Sequence, residues 1–217
     1  LPRQSALLFV DISGFTKLST LLDPESLSNA INFYFQRVVN EIISHGGDVL
    51  KFAGDAIYAE WAASSLDDID TNGNRRLPLL KLEDCVFAAA SCGAKIVAEC
   101  SDFPIFGTSG EGQIASLNVH CGLGAGKVVG IHIGDEESRR EFVILGHPLN
   151  QLTDASQNAN LGELVASPEA LALLGERCTF DTSLSQTTGR AVIARRTFKS
   201  FTPLPHMGSS IRVSINM

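Results

Sequence analysis

Two aspartates in apolar surroundings offer the most specific chemistry in this chain. Asp11 lies within the run Phe9-Val10-Asp11-Ile12-Ser13-Gly14-Phe15-Thr16, and Asp55 some forty residues further on, in Lys51-Phe52-Ala53-Gly54-Asp55-Ala56. Carboxylates of this kind hold hard divalent cations, which in turn bridge phosphate oxygens. Backbone N–H groups at a tight turn or helix start point at an anion. A buried strand, an acid, the Gly14 turn and a helix start therefore make a place where a metal ion and a polyphosphate meet. Taken singly, each acid has a plainer use. An Asp after a strand is often a helix cap, and a Gly-Asp pair between strand-like runs is often a hairpin turn. The two together, flanked by Gly46-Gly47-Asp48-Val49-Leu50 and by Ile57-Tyr58-Ala59-Glu60-Trp61, ask for more than either.

The elements that position these residues follow from periodicity. Residues 6–11 read as a buried strand. Asp23-Pro24 opens a helix over 24–45, with Leu27, Ala30, Ile31, Tyr34, Phe35, Val38 and Ile42 at helical spacing as a core stripe. Gly46-Gly47 stops it, and an antiparallel hairpin turns at Gly54-Asp55. Residues 63–79 form a polar connection. A second helix spans about 80–100 with Leu82, Cys85, Val86, Ala89, Ile96 and Val97 inward, closed by Phe103-Pro104, and 105–113 is a Gly-containing loop. Strands are expected at 114–123, 127–133 and 140–145, the first two joined by a Gly124-Ala125-Gly126 turn. A helix over 147–159, shorter elements and a last strand at 210–216 complete the chain. The order strand, helix, strand, strand, helix, strand is that of an α+β fold, a ferredoxin-like split βαβ unit whose antiparallel sheet carries helices on one face.

With 217 residues, 44% of them hydrophobic, the chain can bury one core without disulfides. A single domain over 1–217 is expected, with its core at about 6–183 and a C-terminal extension at 184–217. The formal charge of −7 argues against a nucleic-acid backbone as partner, and no apolar run is long enough to span a membrane. Five cysteines without CxxC spacing suit a reducing, cytoplasmic setting. The start at Leu1 suggests a piece of a longer protein. No GxSxG motif occurs. His45, His120, His132, His147 and His206 lack metal-ligand spacing, and His120, near the glycine-rich stretch, is the one worth testing for proximity to phosphate. Arg139 and Arg140 read as a solvated hairpin tip, and Phe52 and Trp61 as core or dimer-interface aromatics.

The two aspartate motifs, followed by Cys121-Gly122-Leu123-Gly124-Ala125-Gly126-Lys127-Val128-Val129-Gly130 and Ile133-Gly134, resemble the catalytic domains of class III nucleotide cyclases over most of residues 6–166. They are most similar to the first catalytic domain of the soluble, bicarbonate-responsive adenylyl cyclases. The resemblance implies an adenylate cyclase that turns ATP into cyclic AMP and pyrophosphate at the interface of two such domains, paired in cis or in trans, a homodimer being open to the isolated chain. It implies two divalent cations, magnesium with manganese or calcium as alternatives, held by Asp11, Asp55 and the Ile12 carbonyl. Phosphates would be received at Ser13, Gly14, Phe15 and Thr16.

The complementary half of such a site supplies a base-reading lysine, an Asp or Thr, and a transition-state Asn and Arg. These positions fall on Lys51, Val143, Asn150 and Asp154. Val143 cannot hydrogen-bond an adenine, and Asp154 sets negative charge where an arginine would neutralise it. The chain thus resembles a metal-donating half that needs a complementary domain. Lys51, with Val143, Ile144 and Thr153, corresponds equally to a bicarbonate pocket, in which Thr153 replaces a second cation. A non-catalytic nucleotide- or bicarbonate-sensing domain and a guanylate cyclase half are the alternatives.

Overall fold

The apolar run before Asp11 belongs to β1 (Pro2–Ser13), a strand interior to the sheet. The computed structural model describes residues 2–64, 80–107, 112–135, 140–181 and 191–198. Along the chain β1 is followed by α1 (Phe15–Leu21), α2 (Pro24–Ser44), β2 (Asp48–Ala53), β3 (Ala56–Ala62), α3 (Leu82–Cys100), β4 (Phe103–Phe106) and β5 (Gln113–Gly134). Then come β6 (Arg140–Leu145), α4 (His147–Gln157), β7 (Leu164–Ala166), α5 (Pro168–Leu174), a 3-10 turn at Gly175–Arg177, β8 (Cys178–Asp181) and β9 (Ala191–Phe198). The expected strand at 210–216, Arg139, most of the 63–79 connection and most of the 184–217 extension lie outside the described residues.

The sheet order is β2-β3-β1-β5-β7-β9-β8, with β4 and β6 pairing to opposite ends of β5. β3 lies antiparallel between β1 and β2, and β5 runs antiparallel along the other side of β1. This is the expected split βαβ unit in an α+β fold. One short strand departs from the antiparallel pattern: β7 runs parallel to β5 from Cys121↔Leu164 to Leu123↔Ala166.

Alternation along β1 assigns its faces. Ala6, Leu8, Val10 and Ile12 are fully buried in the main core with α2 and α3. Asp23 caps α2 by accepting from the N–H groups of Glu25 and Ser26, with Pro24 in the first turn. Tyr34, Val38 and Ile42 are its buried stripe. Small residues let α3 lie close on the sheet; a Cβ at Gly93 would stand 3.0 Å from the Leu8 side chain. Trp61 is buried, and its indole N–H donates to the His45 carbonyl at 2.8 Å.

The two long helices occupy one face, as expected, and α4 adds a layer on the other. There Leu7, Val128, Ile144 and Leu152 form a second cluster, joined by Phe9, Leu50, Tyr58 and Leu149. This layer corrects the expectation for residues 114–133, which form one unbroken strand rather than two strands joined at Gly124-Ala125-Gly126. The glycines serve clearance. A Cβ at Gly122 would stand 2.9 Å from the Leu152 carbonyl oxygen, and one at Gly124 would stand 2.7 Å from that of Pro148. The expected loop at 105–113 is likewise corrected at its start, where Ile105 and Phe106 complete β4.

Candidate active site

The β2–β3 turn brings Asp55 to the end of β1. Gly54 takes a left-handed conformation (φ 67°) that an L side chain rarely adopts, and the Asp55 carbonyl accepts the Ile12 N–H at 3.2 Å. The turn is thereby fastened beside Asp11, whose direct partner in β3 is Ala56. The two carboxylates are close enough to influence each other. Burial pushes the Asp11 carboxyl above its ordinary range; His120 opposes the rise and the charge of Asp55 adds to it. An anion held in this way, partly desolvated and repelled by a neighbour, is relieved by a cation, so the donor set suits a hard divalent ion. Among the described residues no three His, Cys, Asp or Glu side chains gather at one point. Further ligands would have to come from backbone or substrate.

Gly14 follows directly. Its φ of 112° turns the chain from β1 into α1, and a Cβ there would meet the Ser116 carbonyl oxygen at 2.9 Å. No side chain caps this helix start, so the first-turn amides have no partner from a cap. Ser13, Gly14 and Phe15 are half-buried beside the aspartates, whereas Thr16 is exposed. A cleft of about 390 Å³ opens against Phe15, Ile31, Phe35, Gly54 and Asp55. Phe52, 41% exposed, stands edge-on to Phe35 with ring centroids 5.6 Å apart, so it is a rim residue while Trp61 belongs to the core.

His120 is the residue that sequence reasoning undervalued. It pairs with Asp11 in the β1–β5 register, and its Nε2 lies 3.4 Å from Asp11 Oδ2 and 3.3 Å from Ser156 Oγ on α4. The only sequence signal was its place two residues before Gly122.

The remaining candidates lie elsewhere. Lys51 is exposed on β2, with Nζ 4.7 Å above the Tyr58 ring, which in turn packs edge-on against Phe9. Ile144 is buried in the α4-side cluster to which Tyr58 belongs. Val143, one residue earlier in β6, points to the opposite face, so the two cannot line one pocket together. Thr153 is exposed, and its hydroxyl donates to the Leu149 carbonyl. Asn150 and Asp154 line a different cleft of about 330 Å³ between α4 and the β7–α5 segment, with Gln151, Asn158 and Glu169 among its walls. That cleft shares no lining residue with the one beside Asp55. Asn150 and Asp154 therefore lie at a different cleft from Asp55. All five cysteines are buried free thiols, and no described helix is long and apolar enough to cross a membrane.

This geometry can be set beside known proteins. The family described as "Adenylate and Guanylate cyclase catalytic domain" matches residues 3–197. The chain belongs to that family. It is a class III nucleotide cyclase catalytic domain, as the aspartate motifs led us to expect. The chain is 29% identical over 175 residues to adenylate cyclase type 10 of Oryctolagus cuniculus, covering 77% of this chain and 10% of that protein. It is 28% identical over 187 residues to an uncharacterized protein of Mycobacterium tuberculosis, covering 85% of this chain and 30% of that one. The chain thus spans about a tenth of the adenylate cyclase type 10 relatives it matches.

Among solved structures, the guanylate cyclase domain of RhGC from Catenaria anguillulae in complex with GTP has a TM-score of 0.65 at 16% identity, over 90% of this chain and all of that one. The adenylyl cyclase CyaB from P. aeruginosa has a TM-score of 0.62 at 19% identity, over 94% of this chain and 98% of that one. At these identities the likeness establishes the fold, shared by cyclases of both nucleotides.

Proposed function

We propose that this chain, a single cyclase domain over 1–217, is the metal-donating half of an adenylate cyclase. It would convert ATP to 3′,5′-cyclic AMP and pyrophosphate at an interface with a second cyclase domain in cis or in trans, in the cytoplasm. The observation that carries the proposal is the convergence of Asp11 and Asp55 beside the Gly14 turn. Two divalent cations, magnesium with manganese or calcium as alternatives, would neutralise the triphosphate there and favour ionisation of the ribose 3′-hydroxyl. Asp11, Asp55 and the Ile12 carbonyl are the groups of this chain that would hold them. The amides from Ser13 to Thr16 would receive phosphate oxygens, keeping the chain's negative groups off the anion. Asp154 explains why a complementary domain is needed. An acid on α4 repels the charge that accumulates at the α-phosphate, where a cation would stabilise it.

ATP is favoured over GTP by the adenylate cyclase type 10 relatives and by Lys51, whose ammonium suits adenine better than a carboxylate would. A second reading, a nucleotide- or bicarbonate-sensing domain, is favoured by Asp154 together with the cation Lys51 over Tyr58. The deciding experiment measures cyclic AMP and cyclic GMP made by this chain together with a complementary cyclase domain, with and without Asp11→Asn and Asp55→Asn. We expect cyclic AMP to dominate and each substitution to lower turnover by at least about 100-fold, the scale on which losing one electrostatic contributor acts. Unchanged turnover in folded variants would remove the metal role, and a response to bicarbonate without turnover would favour the second reading.

A further inference from the structure

The contacts around His120 serve none of the roles assigned so far. A carboxylate only accepts hydrogen bonds, so the 3.4 Å contact with Asp11 Oδ2 is attractive when His120 Nε2 carries the proton. The other ring nitrogen, Nδ1, is buried with no hydrogen-bond partner and is then a bare lone pair. The one Nε2 proton is then shared, because Ser156 Oγ, 3.3 Å from the same nitrogen, can only accept from it. Ser156 sits this low on the sheet because residue 122 is glycine: a Cβ there would be 3.0 Å from the Ser156 nitrogen. The His120 side chain is 15% exposed and that of Asp11 33%, so the imidazole is the inner member of the pair and the carboxylate the outer.

We propose that His120 is a positioning residue that fixes the Asp11 carboxylate for cation capture and, through the Ser156 hydroxyl, ties that carboxylate to α4. The proposal rests on the metal role of Asp11 given above. Carboxylates that hold metals are themselves oriented by outer hydrogen bonds, and losing such a partner lowers metal affinity by about 10–100-fold. The link through Ser156 has a further consequence. Helix α4 also presents Asn150 and Asp154, so the metal-holding end of β1 and the opposite candidate surface are joined inside one chain.

The test is a titration of the full chain with Mn²⁺ alone, reading the free ion by electron paramagnetic resonance and the fold by circular dichroism. We compare the native chain with Asp11→Asn, His120→Phe, His120→Gln and Ser156→Ala. Asp11→Asn should lose binding, and His120→Phe should weaken it about 10–100-fold. His120→Gln, whose amide can still donate to the carboxylate, should stay within about threefold, and Ser156→Ala should lose about two- to fivefold, as for one hydrogen bond. Native affinity in a folded His120→Phe protein overturns the proposal while leaving the metal role standing if Asp11→Asn has lost binding. Should His120→Phe not fold, Ser156→Ala decides, and an unchanged affinity there overturns the proposal. A native chain that binds no Mn²⁺, or an Asp11→Asn protein that binds it equally, sinks the metal role and the proposal together.

Discussion

Asp11 occupies a position that costs the fold something. Its carboxyl is pushed above the ordinary range, mainly by burial. For an acid the sign is then fixed: the folded state prefers the protonated form, so ionisation on raising pH through the unfolded value of about 4 and on through the folded value removes stability. We expect Asp11→Asn to raise the melting temperature at pH 7, with the gain fading below about pH 4. Thermal unfolding followed at both pH values checks it; a lower melting temperature for the variant at pH 7 would contradict the account. At this scale the placement of residues was legible where they lie in contiguous motifs, as at Asp11, Gly14 and Asp55. It was illegible at Val143 and Ile144. Which of two neighbouring strand residues faces α4 depends on the pairing of β6 with β5, and no local pattern states that register. The meeting of His120 and Ser156, 36 positions apart, was hidden for the same reason.

Among the elements, β5 and α4 fit closely. Gly122 and Gly124 look like turn residues in a sequence, because Gly-x-Gly punctuates loops more often than it clears a path for a helix. Their real constraint is backbone against backbone. A methyl group at Gly122 would meet the Leu152 oxygen at 2.9 Å, and carbonyl oxygens of a helix cannot swing aside as a side chain would. Gly122→Ala should therefore destabilise the fold by about 1–3 kcal/mol, the range for overpacking a close contact. Urea unfolding should show a lower midpoint at unchanged slope; an unaltered midpoint would mean that α4 rides more loosely than its contacts indicate. By contrast α2 and α3 were readable almost to the residue. Their apolar spacing and the Asp23-Pro24 start are local signals, and both helices lie against the larger core.

The whole molecule carries Asp55 beside one cleft and Asn150 and Asp154 beside another, a layout that suits the proposed pairing with a second domain. Because Asp154 is exposed, it can be exchanged without disturbing the core. On the proposed function, Asp154→Arg in the isolated chain should raise its cyclic AMP production at least about tenfold, since a cation would replace an anion where charge would accumulate. An unchanged rate at high protein concentration would contradict the role proposed for Asp154. The split βαβ succession of elements was legible, whereas the layer formed by α4 was not, since two faces of one sheet cannot be told apart without knowing what covers each.

The length of β5 bears on all of this. Over residues 113–134 it touches β1, β4, β6 and β7, keeping Leu117, Val119, Cys121, Leu123 and Ala125 on one side and Asn118, His120, Gly122 and Gly124 on the other. A single residue gained or lost within it would turn every later position inside out, driving leucines against the helix that glycines now admit. The strand is in effect a ruler, and any drift in chain length that this protein tolerates has to be taken up in the connections outside it.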